Sequence, residues 1–406
     1  MEQWQKNLWI LWFGALVTSL SFSMVVPFLP LFLPQIGVHG HLEFWSGSLY
    51  SVTFLAGALV SPYWGSLADK YGRKPMILRA GFALCVVYIL TSFVQSPWEL
   101  LGLRALQGLL AGYIPGAIAL VGTNTPEKRV GYALSLMSTA TAAGGILGPL
   151  VGGLVSRVVG YRMSFASAGF LVFLSSLLVL FWVKEYTFVP SKTRSSVIQT
   201  MKDASHNRTL RLALLVTTMT SFSIMTIEPV LPLYISGLTE GSKNTSLIAG
   251  FVFSLSGIAS VLFAPRWGRM ADKTGFRKVL LIGLIGGGVG NLLQIPFHQI
   301  VAFSIVRFIY GVFFCAVFPA LNGFVVQSTD PSFRGRAFGL NQTANQVGNM
   351  LGPLIGGAIG GVYGTHSVFV ITGVLLLLTL TVGWRGFRNM AIASGPAAAP
   401  EQAKGT

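Results

Sequence analysis

Glu228 lies in a long apolar run, just before Pro229, and is the one acidic side chain placed away from the ends of such a run. A charge held in hydrocarbon costs at least ~3 kcal/mol on insertion scales, so it marks a functional site by default. Burial makes the ionised carboxylate the expensive form, which suits a group that takes up and releases a proton. Arg104 and Arg307 are cations placed well inside apolar runs, in matching places along the chain. Either can tune a nearby carboxylate, hold a water, or clamp helices through their carbonyls. Glu228 is therefore the candidate for taking up and releasing the proton, with the arginines as groups that can tune it. The alternatives are a carboxylate paired structurally to a polar neighbour and an arginine that locks helices together.

Around these charges lie side chains that can line a cavity. Thr217, Ser221 and Glu228 share a helical face at i, i+4, i+11, which predicts that this face looks into a cavity. Asn341, Asn345 and Asn349 share a face with Gly352. Amides in a span need partners, so they bind a substrate or bond another helix. Arg104 lies on one face with Gln107, Ala111 and Pro115. Phe22, Phe222 and Tyr310 are the aromatic candidates, with Phe318 beside them. The substrate-cavity set is thus Gln107, Phe22, Ser221, Phe222, Arg307, Tyr310, Asn341 and Asn345. Arg104, Arg307 and an ionised Glu228 leave a net positive site, which offers little attraction to a purely cationic cargo.

Other chemistries lack their residues. No phosphate-binding Walker loop, nucleophile elbow, paired-cysteine motif or His-Glu-x-x-His occurs. Cys85 and Cys315 fall in separate apolar segments and read as packing residues. His39 and His41 read as surface residues. No metal site, no cofactor and no enzymatic activity are expected.

The elements that must position these residues are membrane helices. The chain has 406 residues, 52% hydrophobic and 10% charged, and a mean hydropathy of +0.67. Soluble chains carry about 25% charged residues. The net charge of +16 forms no contiguous basic domain, which excludes nucleic-acid binding. A crossing helix needs roughly 20 apolar residues. Twelve runs qualify, near 8–33, 45–68, 76–95, 98–122, 131–156, 163–183, 210–236, 245–270, 278–296, 299–325, 335–361 and 366–385. The first is too long for the apolar core of a signal peptide and reads as an uncleaved span. Lysines and arginines gather at the N-terminus and after even-numbered spans, whereas the opposite loops carry only Arg157, Arg162 and Lys243. That asymmetry predicts cytoplasmic termini in a plasma or inner membrane. The expected organisation is a six-helix bundle over 1–183, a cytoplasmic linker over 184–209, a second bundle over 210–390 and a disordered tail over 391–406.

The two bundles are copies. The turn Gly65-Ser66-Leu67-Ala68-Asp69-Lys70-Tyr71-Gly72-Arg73-Lys74 returns about 203 residues later as Gly268-Arg269-Met270-Ala271-Asp272-Lys273-Thr274-Gly275-Phe276-Arg277-Lys278. Pro27-Phe28-Leu29-Pro30 matches Pro229-Val230-Leu231-Pro232, and Gly148-Pro149-Leu150-Val151-Gly152-Gly153 matches Gly352-Pro353-Leu354-Ile355-Gly356-Gly357. The counterpart of Glu228 is Val26, so only one half carries the carboxylate. Two such bundles leave a cavity between them near the bilayer midplane.

The repeated turn resembles the helix 2–3 signature of the major facilitator superfamily, although the second copy has Phe276 inserted before Arg277. Arg104 with Gly108 is similar to the superfamily's helix 4 motif. The stretch from Gly144 to Gly153 resembles its helix 5 antiporter motif, and most of the chain resembles the bacterial multidrug efflux proteins within it. The resemblance implies an all-α fold of twelve transmembrane helices in two pseudo-symmetric bundles. It implies a monomeric proton-coupled exporter of small amphipathic toxic compounds, with the lipid bilayer and protons as its other partners. It also implies that Arg104 takes part in proton coupling. Gly65, Asp69, Gly72, Arg73, Asp272 and Arg277 would form a conformational latch. Gly144, Gly148, Pro149, Gly352 and Pro353 would form a packing motif with a bend. A dedicated metabolite or lipid exporter on the same scaffold, a channel and a non-transporting sensor are the other readings.

Overall fold

The computed structural model describes residues 2–186, 207–240, 242–330 and 333–387. Most of the expected 184–209 linker lies outside the described residues, as does the expected 391–406 tail. The described residues form helices and no strand. Eight stretches are long and apolar enough to cross a membrane. One of them, Glu127–Trp182, turns back at Gly160 and supplies two spans. The remaining three are less apolar or shorter. Gln3–Ser23 carries tryptophan, serine and threonine throughout, Phe276–Leu292 has 17 residues, and Arg334–Tyr363 bears the asparagine face. The twelve expected spans are all present.

Four spans are broken rather than continuous. Span 1 is Gln3–Ser23 then Leu29–Phe32, and span 7 is Arg208–Ile227 then Leu231–Leu238. Span 4 is Pro97–Leu110 then Tyr113–Asn124, and span 10 is Ile300–Phe314 then Val317–Gln327. A proline cannot donate to the preceding turn and its ring clashes there. Pro27 and Pro229 sit in the breaks of spans 1 and 7, with Pro30 and Pro232 opening the next segments. In span 4 the break is at Ala111 and at Gly112, whose φ of 134° only glycine adopts comfortably. The apolar runs predict continuous spans, and the structure interrupts these four of them.

The other eight spans come in four pairs, each joined through a single glycine. Spans 2 (Leu42–Tyr71) and 3 (Arg73–Ser92) meet at Gly72, and spans 5 and 6, both within Val130–Trp182, meet at Gly160. Spans 8 (Thr245–Thr274) and 9 (Phe276–Leu292) meet at Gly275, and spans 11 (Arg334–Tyr363) and 12 (Thr365–Phe387) at Gly364. Their φ angles are 98°, 81°, 88° and 82°, so the same left-handed corner recurs in both halves.

The core shows how the halves meet. One buried cluster draws on both of them, with Met24, Phe28, Phe32 and Leu49 packed together with Ile227, Leu231, Tyr234, Phe253 and Phe369. This shared core lies away from the termini, on the far side. On the terminal side there are two separate cores, one built from residues 8–183 and one from residues 210–387. Span 2 packs against span 11 and span 5 against span 8. The Tyr161 and Ser246 hydroxyls hydrogen-bond at 3.0 Å, and Ser254 Oγ donates to the Ile146 carbonyl at 2.6 Å, both across the halves and both toward the far side. The halves therefore close on the far side and part on the terminal side.

The glycine–proline segments make those contacts possible. Gly144, Gly148 and Gly152 face span 1, where any Cβ would meet the backbone of Leu16, Leu20 and Met24. Gly348, Gly352 and Gly356 face span 7 in the same way. Small residues let helix backbones approach where lipid offers no hydrophobic drive. The next face of the same segments turns to the other half. Gly250 lies on the Pro149 carbonyl, and Gly47 lies on the Pro353 carbonyl.

Candidate functional site

Glu228 follows the last residue of the first segment of span 7 and occupies the break itself. Pro229, directly after it, stops the helix. The carboxylate is partly buried and accepts no hydrogen bond among the described residues. It lies close enough to act electrostatically on Arg307 and Tyr310 of its own half and on Tyr50 of the other half. The predicted stripe of Thr217, Ser221 and Glu228 does not face a cavity as a unit. Thr217 and Ser221 are each 1% exposed and are bonded to span 11, and the helix ends before Glu228.

Arg104 is buried one turn or more before the break in span 4. Its Nη1 donates to Gln107 Oε1 at 2.9 Å, and Gln107 Nε2 donates to the Tyr88 hydroxyl at 3.1 Å. Arg104 Nε and Nη2 are buried and make no hydrogen bond among the described residues. A buried donor without an acceptor costs about 1–3 kcal/mol, and more when charged. The arginine borders a narrow cleft between spans 1, 2 and 4 lined by Phe22, Val26, Tyr50, Thr53 and Phe54. The break at Ala111 separates it from Pro115, so the face expected over Arg104, Gln107, Ala111 and Pro115 is interrupted.

Arg307 repeats this arrangement in the second half. Its Nη1 approaches Gln294 Oε1 at 3.4 Å, its guanidinium lies 4.9 Å from the Tyr310 ring centroid, and its Nε makes no hydrogen bond among the described residues. Tyr310 stacks on Phe314 with centroids 5.3 Å apart. The repeat pairs Arg104 with Arg307, Gln107 with Tyr310, and Tyr88 with Asn291. Each half thus holds an arginine, an aromatic hydroxyl and an amide, with the tyrosine and the amide exchanged between neighbouring spans.

The asparagines of span 11 bond span 7. Thr217 Oγ1 donates to Asn341 Oδ1 at 2.8 Å, and Asn345 Nδ2 donates to Ser221 Oγ at 2.8 Å. Asn349 donates to Asn345 at 2.9 Å, and Asn341 to Asn322 at 3.2 Å. Asn341 and Asn345 remain partly accessible, as does Phe222, while Phe22 is 38% exposed beside Phe54. Gln107 and Tyr310 are buried with their arginines.

At the terminal side, Asp69 and Arg73 form an ion pair at 3.8 Å across the Gly72 corner, and neither pairs with the second half among the described residues. Arg73 Nη1 also donates to Thr123 Oγ1 at 3.1 Å. Asp272 makes no ion pair among the described residues, and Arg277 Nη2 approaches the Trp384 carbonyl at 3.4 Å. Gly65 and Gly268 border open space. The sequence reading missed Glu185. Its two carboxylate oxygens accept the backbone N–H groups of Arg73 and Lys74, each at 2.9 Å, at the N-terminus of span 3. No motif marks it, because only the folding of span 6 against span 3 brings it there. Tyr88 and Asn291 were findable by carrying the repeat offset into spans 3 and 9.

A family model described as the Major Facilitator Superfamily matches residues 11–243 and 213–404. The chain is 37% identical over 396 residues to the multidrug resistance protein MdtG of Salmonella schwarzengrund, covering 96% of this chain and 97% of that protein. It is 36% identical over 394 residues to the protein of the same name from Proteus mirabilis, with coverage of 96% and 97%. Among solved structures, the nucleoside transporter NupG superposes with a TM-score of 0.79 at 13% identity, covering 96% of this chain and 100% of that one. A bacterial homolog of the human lysosomal transporter Spinster, inward-facing and occupied, superposes with a TM-score of 0.80 at 14% identity, covering 98% and 100%. At these identities the likeness to the solved structures is one of fold.

Proposed function

The chain belongs to the major facilitator superfamily, and from that membership we propose that it is a proton-coupled exporter of amphipathic toxic compounds. It is a multi-pass membrane protein and a transporter rather than an enzyme. The multidrug resistance proteins that it resembles over nearly its whole length support a drug-like cargo. The observation that carries proton coupling is the position of Glu228. It stands in the break of a helix, within electrostatic reach of Arg307 and Tyr310 of its own half and of Tyr50 of the other.

The basic loops support cytoplasmic termini. The present arrangement is then open to the cytoplasm and shut outside. Cargo enters between the terminal-side cores and reaches the midplane beside Phe22, Asn345 and Phe222. Reclosing brings Asp69 and Asp272 toward the opposite halves, where each can face the positive end of a helix. Proton uptake on Glu228 removes the negative charge set against Arg307, and proton release restores it. The two charge states thus favour different packings of the halves, which is what biases a two-state equilibrium. The site stays net positive in both states, which supports neutral or anionic amphipaths over purely cationic ones.

The test is dye efflux from inverted vesicles energised with a proton gradient, wild type beside Glu228→Gln. Wild type should pump, stop when an uncoupler is added, and lose pumping but not dye binding in the variant. Normal pumping by Glu228→Gln would move coupling to Arg104 or another polar group. Absence of dye transport by wild type would favour a dedicated exporter.

A further inference from the structure

An apolar groove opens on the membrane-facing surface where span 5 meets spans 8 and 10. Leu150 of the first half lines it with Leu247, Ile248, Phe251, Leu255, Val301, Ile305 and Phe308 of the second. Ser304 is its one polar lining residue, and that hydroxyl already donates to the Ile300 carbonyl at 2.7 Å. Val301, Ile305 and Phe251 are 68%, 56% and 47% exposed, so the walls are large side chains uncovered by protein. Leu247 to Leu255 is about 12 Å of helix at ~1.5 Å per residue. One leaflet of a ~30 Å hydrocarbon core is about 15 Å deep. The groove therefore matches one acyl chain reaching from the far-side interface toward the midplane.

Its interfacial end carries charge. Leu150, Leu154 and Arg157 follow one another at i, i+4, i+7, so Arg157 continues the groove-lining face of span 5. Lys243 lies just before span 8, four residues ahead of Leu247. Leu247 in turn lies directly over Gly153, one turn before Arg157. Only three basic residues serve this side of the chain. Arg162 is engaged, donating to the Ser92 carbonyl at 3.0 Å and lying over Phe32. Arg157 and Lys243 are exposed, and neither makes an ion pair among the described residues, including with Glu240.

We propose that the groove is a specific site for an anionic phospholipid of the far leaflet, with one acyl chain between spans 5, 8 and 10 and its phosphate between Arg157 and Lys243. The two cations belong to opposite halves and would repel each other when the halves close there. A phosphate between them converts that repulsion into attraction. The lipid thus staples the halves on the far side and favours the arrangement described above.

The test uses the full chain purified in detergent with phosphatidylglycerol, and reads retained lipid by native mass spectrometry. Wild type should keep one phosphatidylglycerol through washing. Arg157→Gln/Lys243→Gln, at exposed sites that do not bear on folding, should lower retention at least tenfold. Ser304→Phe, which fills the groove and leaves both cations, should lower it likewise. A spin-label pair across the far side should show the closed fraction rising with phosphatidylglycerol in wild type and not in the double variant. Equal retention by wild type and both variants would overturn the proposal, as it would mean a merely annular lipid. Displacement of the lipid by millimolar inorganic phosphate would also overturn it, by showing an anion site with no use for the chain.

Discussion

Gly250 of the second half rests on the carbonyl of Pro149 in the first, and the repeat places Gly47 on the carbonyl of Pro353 in the same way. These two contacts seal the far side. Overpacking costs about 1–3 kcal/mol, equal to a roughly five- to 150-fold shift of a two-state equilibrium. Gly250→Leu and Gly47→Leu should therefore depopulate the far-side-closed state and cut export at least tenfold, with insertion intact. A cysteine pair across spans 5 and 8 reads the effect as lost cross-linking. Undiminished cross-linking would show that the seal lies elsewhere.

Arg104 presents a fork, one arm of which is held by Gln107. Lysine keeps the charge but not the fork. Arg104→Lys should insert normally and lose most proton-driven export. Gln107→Leu should leave a third nitrogen unpaired and lower thermal stability by about 1–3 kcal/mol. Unfolding in detergent and vesicle efflux, measured on the same preparations, separate the two effects.

Among the described residues Asp69 pairs only with Arg73, across the Gly72 corner, and is 57% exposed. Such a pair contributes roughly 0–1 kcal/mol. Asp69→Asn should thus leave the stability of the terminal-side-open form nearly unchanged while lowering turnover, because the lost contact belongs to the closed form. A fall in thermal stability matching the fall in turnover would assign Asp69 to holding the loop itself.

Glu185 occupies the N-terminus of span 3 through two backbone bonds. Loss of a capping group costs about 0.5–2 kcal/mol. Glu185→Leu should lower the melting temperature and loosen the Asp69 loop, seen as faster amide exchange at Arg73 and Lys74. Unchanged exchange at those amides would show that the loop is held by Arg73–Thr123 instead.

The duplicated turn, the proline pairs and the matching arginines made the two-bundle architecture legible before any coordinates. An offset of about 203 residues carries that information, because a repeat must bury the same faces twice. The breaks at Glu228 and Gly112 were less legible. Hydropathy averages over a window and cannot register two or three residues leaving helical geometry. Thr217 and Ser221 show a different limit. A polar stripe looks the same in sequence whether it meets water or the asparagines of span 11. Glu185 was invisible because its partners, Arg73 and Lys74, are backbone groups more than a hundred residues away.

The four single-glycine corners at Gly72, Gly160, Gly275 and Gly364 leave no slack between the helices they join. Each pair of spans must tilt as one piece, and a single inserted residue there would rotate the following helix by about 100° and misplace its lining. Tags, protease sites and fluorescent inserts belong instead at the exposed residues 39–41 of the 1–2 connection and 296–299 of the 9–10 connection. Length changes accumulated by drift should sort the same way, so that chain length is fixed at four corners and free to wander between them.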